Sequence, residues 1–226
     1  MSNHEAPIPR DETPSADDPP EPAGSTLRSG RAWGVLLATM ALGVVSDLVS
    51  KSIAFERVAG FPVHIDRERV LGAPDPSRVI PPHEPVVVAE HLLEFTLVLN
   101  PGAVFGIGAG QRWFFIFFTL AAVAIALMLF ARWTRPRDTL AHAGFGLIIA
   151  GGLGNLYDRV AFACVRDFIH PLPGVKLPFG ITWPGGNDEL WPYVSNVADL
   201  YLIIGIVLLV IFTWRQPDPD PDAQPA

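Results

Sequence analysis

Apolar positions gather in four long runs instead of alternating with polar ones. Trp113 to Ala131 is 19 residues without a formal charge, which matches the ~20 residues a helix needs to cross a hydrocarbon layer about 30 Å thick. Thr139 to Tyr157 is a second run of 19, interrupted only by His142 and five glycines, and membrane helices carry glycine more often than soluble ones do. Val194 to Trp214 is a third, with one charge, Asp199, near its start, and Trp33 to Ala54 is a fourth, holding Asp47 and Lys51. Two polar segments, 55–112 and 158–193, separate the runs. In the first, Val86 to Ala89 and Leu92 to Leu99 have strand-like composition, and Asn100-Pro101-Gly102 ends the second of them in a turn. The expected fold is an all-α membrane protein of four transmembrane helices with a small extracytoplasmic β-sheet built from the first outer segment.

Composition supports this. Of 226 residues 50% are hydrophobic and 17% charged, with a single cysteine. That excludes a disordered chain and a disulfide scaffold, and a net charge of -7 argues against nucleic-acid partners. Residues 1–32 and 216–226 hold nine of the acids and ten of the 23 prolines, too polar a mixture to bury a core, and are expected to be disordered acidic tails flanking one membrane domain, 33–215. Lacking a short basic leader, the Trp33 to Ala54 run is expected to persist as an anchor and not to be cleaved as a signal peptide. Arg132, Arg135 and Arg137 crowd the short connection between the runs ending at Ala131 and starting at Thr139 and mark it as cytoplasmic. Both termini then face the cytoplasm, and the two long connections face outward.

Carboxylates at membrane depth cost about 2.5–3.5 kcal/mol on insertion scales and are functional candidates by default. Asp47 lies four residues before Lys51 and pairs with it on one helical face. Asp158 follows Asn155, and Asp199 follows Asn196, each by three residues, so that each amide can orient its carboxylate. Asp167, in an apolar stretch of the last connection, is placed to fold back beside Asp199. Two carboxylates that meet share a proton; the ionised one activates water and the protonated one polarises a peptide carbonyl, as in aspartic proteolysis. A small transporter with a polar carboxylate path, or a catalytically silent assembly protein, would use the same architecture differently.

Five ordered stretches narrow the choice: Asp47-Leu48-Val49-Ser50-Lys51, Asn100-Pro101-Gly102-Ala103-Val104-Phe105-Gly106, Gly154-Asn155-Leu156-Tyr157-Asp158-Arg159, Val165-Arg166-Asp167-Phe168-Ile169 and Asn196-Val197-Ala198-Asp199. Together they resemble the motifs of the lipoprotein signal peptidase (signal peptidase II) family. The resemblance implies a bacterial inner-membrane aspartic endopeptidase, without metal or other cofactor, that cuts the signal peptide from prolipoproteins before a diacylglyceryl-modified cysteine. It implies Asp167 and Asp199 as the catalytic pair, Asn155, Asp158, Arg159, Asn196 and Ala198 in support, Asn100, Gly102 and Phe105 near the substrate channel, and Asp47 with Lys51 as a structural ion pair. Membrane lipids as partners and globomycin as inhibitor follow from the same likeness.

The chain departs from that pattern in its tails, its enlarged outer segment before Asn100 and an insertion at 170–193 rich in Pro, Gly and Trp, suited to a lid or an interfacial anchor. Arg166 stands beside Asp167, where its guanidinium is expected to lower the carboxyl pKa, and Ser195 replaces an aromatic. Cys164 and His142 are expected to pack rather than react, and His170, three residues after Asp167, has no further His or Cys cluster to make a metal site.

Overall fold

The computed structural model describes residues 25–102 and 111–216. Four long helices dominate it: α1 (Gly30–Arg57), α3 (Arg112–Trp133), α4 (Thr139–Ala161) and α5 (Val197–Trp214), with a short α2 (Arg67–Gly72) in the first long connection. All four are long and apolar enough to cross a membrane.

Helix α4 is the centre of the bundle and packs against α1, α3 and α5. Lipid tails are as apolar as leucine, so helices in a membrane gain from close backbone approach, which requires small residues. The glycines of α4 provide it: Gly144 faces Gly205 of α5, where a Cβ on Gly205 would lie 2.7 Å from the Gly144 carbonyl. The outer helices do the reverse and expose large apolar side chains, among them Leu42 and Val45 on α1, Phe114 and Phe117 on α3, and Ile206 and Val207 on α5. Such a surface suits lipid and not water.

Residues 25–32, expected within the disordered tail, are ordered. Thr26–Arg28 forms a 3-10 turn, the buried Thr26 hydroxyl donates to the Thr134 carbonyl, and Ser29 caps α1 by accepting from the Ala32 N–H at 3.2 Å. The hydroxyls supply the partners that a helix start needs, a local signal hidden by the acidic residues before it. Residues 1–24 and 217–226 of the expected tails lie outside the described residues.

At the opposite end of the bundle sits a three-stranded antiparallel sheet in the order β1 (Val86–Ala89), β2 (Leu93–Asn100), β3 (Val165–Pro171). The first two strands match the expectation; the third was expected as an apolar loop. It pairs with β2 through Val98 opposite Asp167 and Asn100 opposite Val165, a partnership across more than sixty residues that no local pattern reveals. Beneath the sheet, Phe55, Val58, Val63, Val70, Ile80, Leu97, Leu99 and Phe168 form a second core. This core welds the end of α1, α2 and the sheet into one cap.

Candidate active site

Strand alternation decides which side chains reach the site. Successive residues point to opposite faces of a strand, so Val98 and Asn100 of β2 and Val165 and Asp167 of β3 line an open cavity of about 1260 Å³, while Leu97 and Phe168 enter the core and Leu99, packed in that core, also borders the cavity. The same rule sends Arg166 away from Asp167. Its guanidinium donates to Asp158 Oδ1 at 2.8 Å and lies over the Phe162 ring. The expectation that Arg166 lowers the Asp167 pKa is therefore corrected: Asp167, 1% exposed, is pushed up to about 7, first by burial and then by the charge of Asp199, against the opposing hydrogen bonds from Asn196 and Asn100.

Asp199 reaches the same cavity from the first turn of α5. That helix begins at Val197 and not at Val194, because Ser195 is held in extended form on the free edge of β3: its carbonyl accepts from Phe168 and Ile169 N–H, and its N–H donates to the Ile169 carbonyl. Asn196 then caps the helix. Its Oδ1 accepts from the Asp199 N–H at 3.1 Å while Asp199 Oδ2 accepts from the Asn196 N–H at 3.2 Å, a reciprocal capping box.

The amides bind across elements. Within the Asn155/Asp158 pair no side-chain bond forms, contrary to expectation; Asn155 Nδ2 donates instead to Asp199 Oδ1 at 2.8 Å. Asn196 Nδ2 donates to Asp167 Oδ1 at 2.6 Å and to Asn155 Oδ1 at 3.1 Å, and Asn100 Nδ2 donates to Asp167 Oδ2 at 3.0 Å. Donor-only partners fix every amide orientation. Lys51 Nζ faces Asn155 Oδ1 at 3.0 Å, the Gly102 N–H faces Asn100 Oδ1 at 3.0 Å, and the Asp199 N–H faces Asn196 Oδ1. Each NH2 group is thereby aimed at a carboxylate.

Behind these lies a buried ionic layer. Lys51 Nζ stands 2.8 Å from Asp47 and 3.4 Å from Asp158, which also binds Arg166. Two acids and two bases neutralise one another, and Asp47 Oδ1 additionally accepts the Ala198 N–H at 2.9 Å, one of the unpaired donors at the start of α5. Arg159 lines the cavity, donating to the Gly102 carbonyl at 3.0 Å and lying over the Phe115 ring.

Of the residues singled out from sequence, the structure gathers Asn100, Gly102, Asn155, Arg159, Asp167 and Asp199 around one cavity. Asn196 braces it, and Asp47, Lys51, Asp158 and Ala198 stand behind it; Phe105 lies outside the described residues. Cys164 is buried, and burial pushes its thiol up to about 12. His142 packs edge-on against Phe130 at the far end of the bundle, and His170 turns to Glu94. Missed from sequence were the cavity's apolar walls: Phe115, Phe118, Leu202 and Ile203 from the helices, and Leu177, Trp183, Leu190 and Trp191 from the last connection. Within an apolar span a wall residue has the same composition as a lipid-facing one, so nothing local marks it.

Four apolar helices around a carboxylate–amide site with a cavity beside it define a multi-pass membrane protein of the enzyme type. The chain belongs to the signal peptidase (SPase) II family, whose profile matches residues 39–215, and it is a peptidase. It is 35% identical over 129 residues to the lipoprotein signal peptidase of Desulfitobacterium hafniense, covering 57% of this chain and 73% of that one. To the lipoprotein signal peptidase of Geobacillus kaustophilus it is 34% identical over 137 residues, covering 61% and 79%. A bacterial membrane enzyme solved by the in meso method at 2.3 Å shares the fold, with a TM-score of 0.58 at 23% identity over 85% of this chain and 95% of that one.

Proposed function

We propose that the protein removes signal peptides from diacylglyceryl-modified prolipoproteins by cutting before the lipidated cysteine, with Asp167 and Asp199 as the catalytic pair. The observation that carries this reading is the convergence of two carboxylates, one from β3 and one from the first turn of α5, on a single apolar cavity with three amides directed at them. Asp167, the more enclosed, holds the proton near neutrality; Asp199 is the base. A water between them loses a proton to Asp199 as its oxygen bonds to the scissile carbonyl carbon, while the Asp167 proton hydrogen-bonds the carbonyl oxygen. Collapse of the tetrahedral species breaks the C–N bond, and the proton taken by Asp199 passes to the leaving amine. Water's oxygen stays on the signal peptide as its new carboxylate.

The transporter alternative calls for carboxylates spaced along a path through the bilayer; here they cluster at one end of the bundle. The arginine-rich turn between α3 and α4 favours a cytoplasmic placement for that end and for both termini, and so supports an extracytoplasmic placement of the sheet and the site at the inner membrane. The test is cleavage of a lipid-modified prolipoprotein by the purified full-length chain in detergent. Asp167→Asn and Asp199→Asn are each expected to lose at least about 10³-fold in rate, and globomycin is expected to inhibit the wild type. Cleavage that persists in either variant removes the pair from its role.

A further inference from the structure

The connection between β3 and α5 is a second, built feature of the site. Residues 172–194 form a hairpin: Leu190 N–H donates to the Val175 carbonyl at 2.6 Å, Leu177 N–H to Asp188 at 2.7 Å, and the Trp183 indole to the Glu189 carbonyl at 2.8 Å. Lys176 and Asp188 bridge it on the exposed side at 2.7 Å. Its root is tied to the sheet by His170, whose Nδ1 lies 2.7 Å from Glu94 and whose Nε2 lies 3.2 Å from the Trp191 carbonyl. The hairpin therefore has a fixed shape, and it turns Leu177, Trp183 and Leu190 into the same cavity that Asp167 and Asp199 enter.

The cavity also has a membrane side. Phe118 of α3 and Ile203 of α5 line it and are exposed on the lipid-facing surface, so it opens laterally between those helices. An apolar signal segment stays in hydrocarbon and occupies that opening. Asp167 and Asp199 share the cavity with the hairpin residues, so the chain beyond the scissile bond has the hairpin within reach. Resting on the function proposed above, we infer that the 172–194 hairpin is a specificity wall: Leu177, Trp183 and Leu190 receive an apolar side chain from the residues that directly follow the lipid-modified cysteine.

The experiment uses the full-length chain in detergent with Asp199→Asn, which permits binding to be measured without turnover. Two lipid-modified prolipoproteins are compared, one with leucine and one with aspartate at both positions after the cysteine. The leucine form is expected to bind at least about tenfold tighter, as burial of one such side chain implies. Leu177→Ser with Leu190→Ser brings that ratio within about twofold by weakening binding of the leucine form. If that variant loses both ligands through misfolding, Trp183→Phe decides, with an expected reduction of the ratio by about threefold. An absent leucine preference, or one that these substitutions do not move, overturns the wall, as does failure of both ligands to bind the Asp199→Asn protein. Cleavage by the wild type, scored in parallel, separates the two ideas: cleavage without preference sinks the wall alone, and preference without cleavage supports the wall while removing the proposed reaction at Asp167 and Asp199.

Discussion

Asp167 and Asp199 differ in surroundings more than in chemistry. Asp167 is enclosed, with the Asp199 charge nearby, and its carboxyl rises to about 7. Its proton is therefore bound below that value and lost above it. If Asp167 is the acid of the pair, kcat/KM falls above about pH 7 by up to about one decade per unit, and a profile level to pH 9 would assign the proton elsewhere. Lys51 makes the second case at this scale. Fully buried, it touches Asp47, Asp158 and Asn155, so Lys51→Met leaves the buried Asp47 without a cation, leaves Asp158 with Arg166 alone, and frees the Asn155 amide to turn. Breaking a buried pair from one side costs about 3–5 kcal/mol. The expected result is a large drop in thermal stability in detergent together with lost cleavage. Unchanged melting would mean that the ionic layer is dispensable.

Elements bring these residues together through close approach, and Gly154 shows where the margin is smallest. A Cβ there would run into the Asp47 carboxylate, which holds the Ala198 N–H at the start of α5. Gly154→Ala is expected to push α1 from α4, at a cost of about 1–3 kcal/mol for overpacking, and to lower kcat by disturbing Asp199 through its helix start. Gly34→Ala on α1, whose Cβ would meet nothing within 4 Å, is the control and should retain activity; equal losses in both would mean that the close contact at Gly154 is not the cause, since alanine favours a helix over glycine. The four spans were legible because length and apolarity are local properties. So were the two acids that the structure brings to one cavity, since each motif is a short stretch. Their partners were not: Arg166 faces away from Asp167 because Val165–Pro171 is a strand, and that strand exists only through its pairing with β2. The hairpin walls escaped for the same reason, their direction being set by cross-chain bonds such as Leu190 to Val175.

At the scale of the molecule the bundle is polarised. One end carries the arginine turn and both described termini; the other carries the sheet, the acids and the hairpin. The native chain offers a clean way to test which end faces the cytoplasm. Cys164 is the lone cysteine, buried, with its thiol pushed up to about 12, so at neutral pH it stays in the unreactive thiol form. It stays silent toward maleimides while an exposed cysteine placed elsewhere reports. Phe179, at the hairpin tip, is 98% exposed, and Arg135 is exposed in the turn between α3 and α4. Added to intact spheroplasts, a membrane-impermeant maleimide is expected to label Phe179→Cys and spare Arg135→Cys, which becomes reactive only after lysis. The opposite pattern would turn the molecule over. An active pair on the cytoplasmic side would then meet prolipoproteins before export, where no signal segment yet spans the bilayer, and the lateral opening between Phe118 and Ile203 would have nothing to admit.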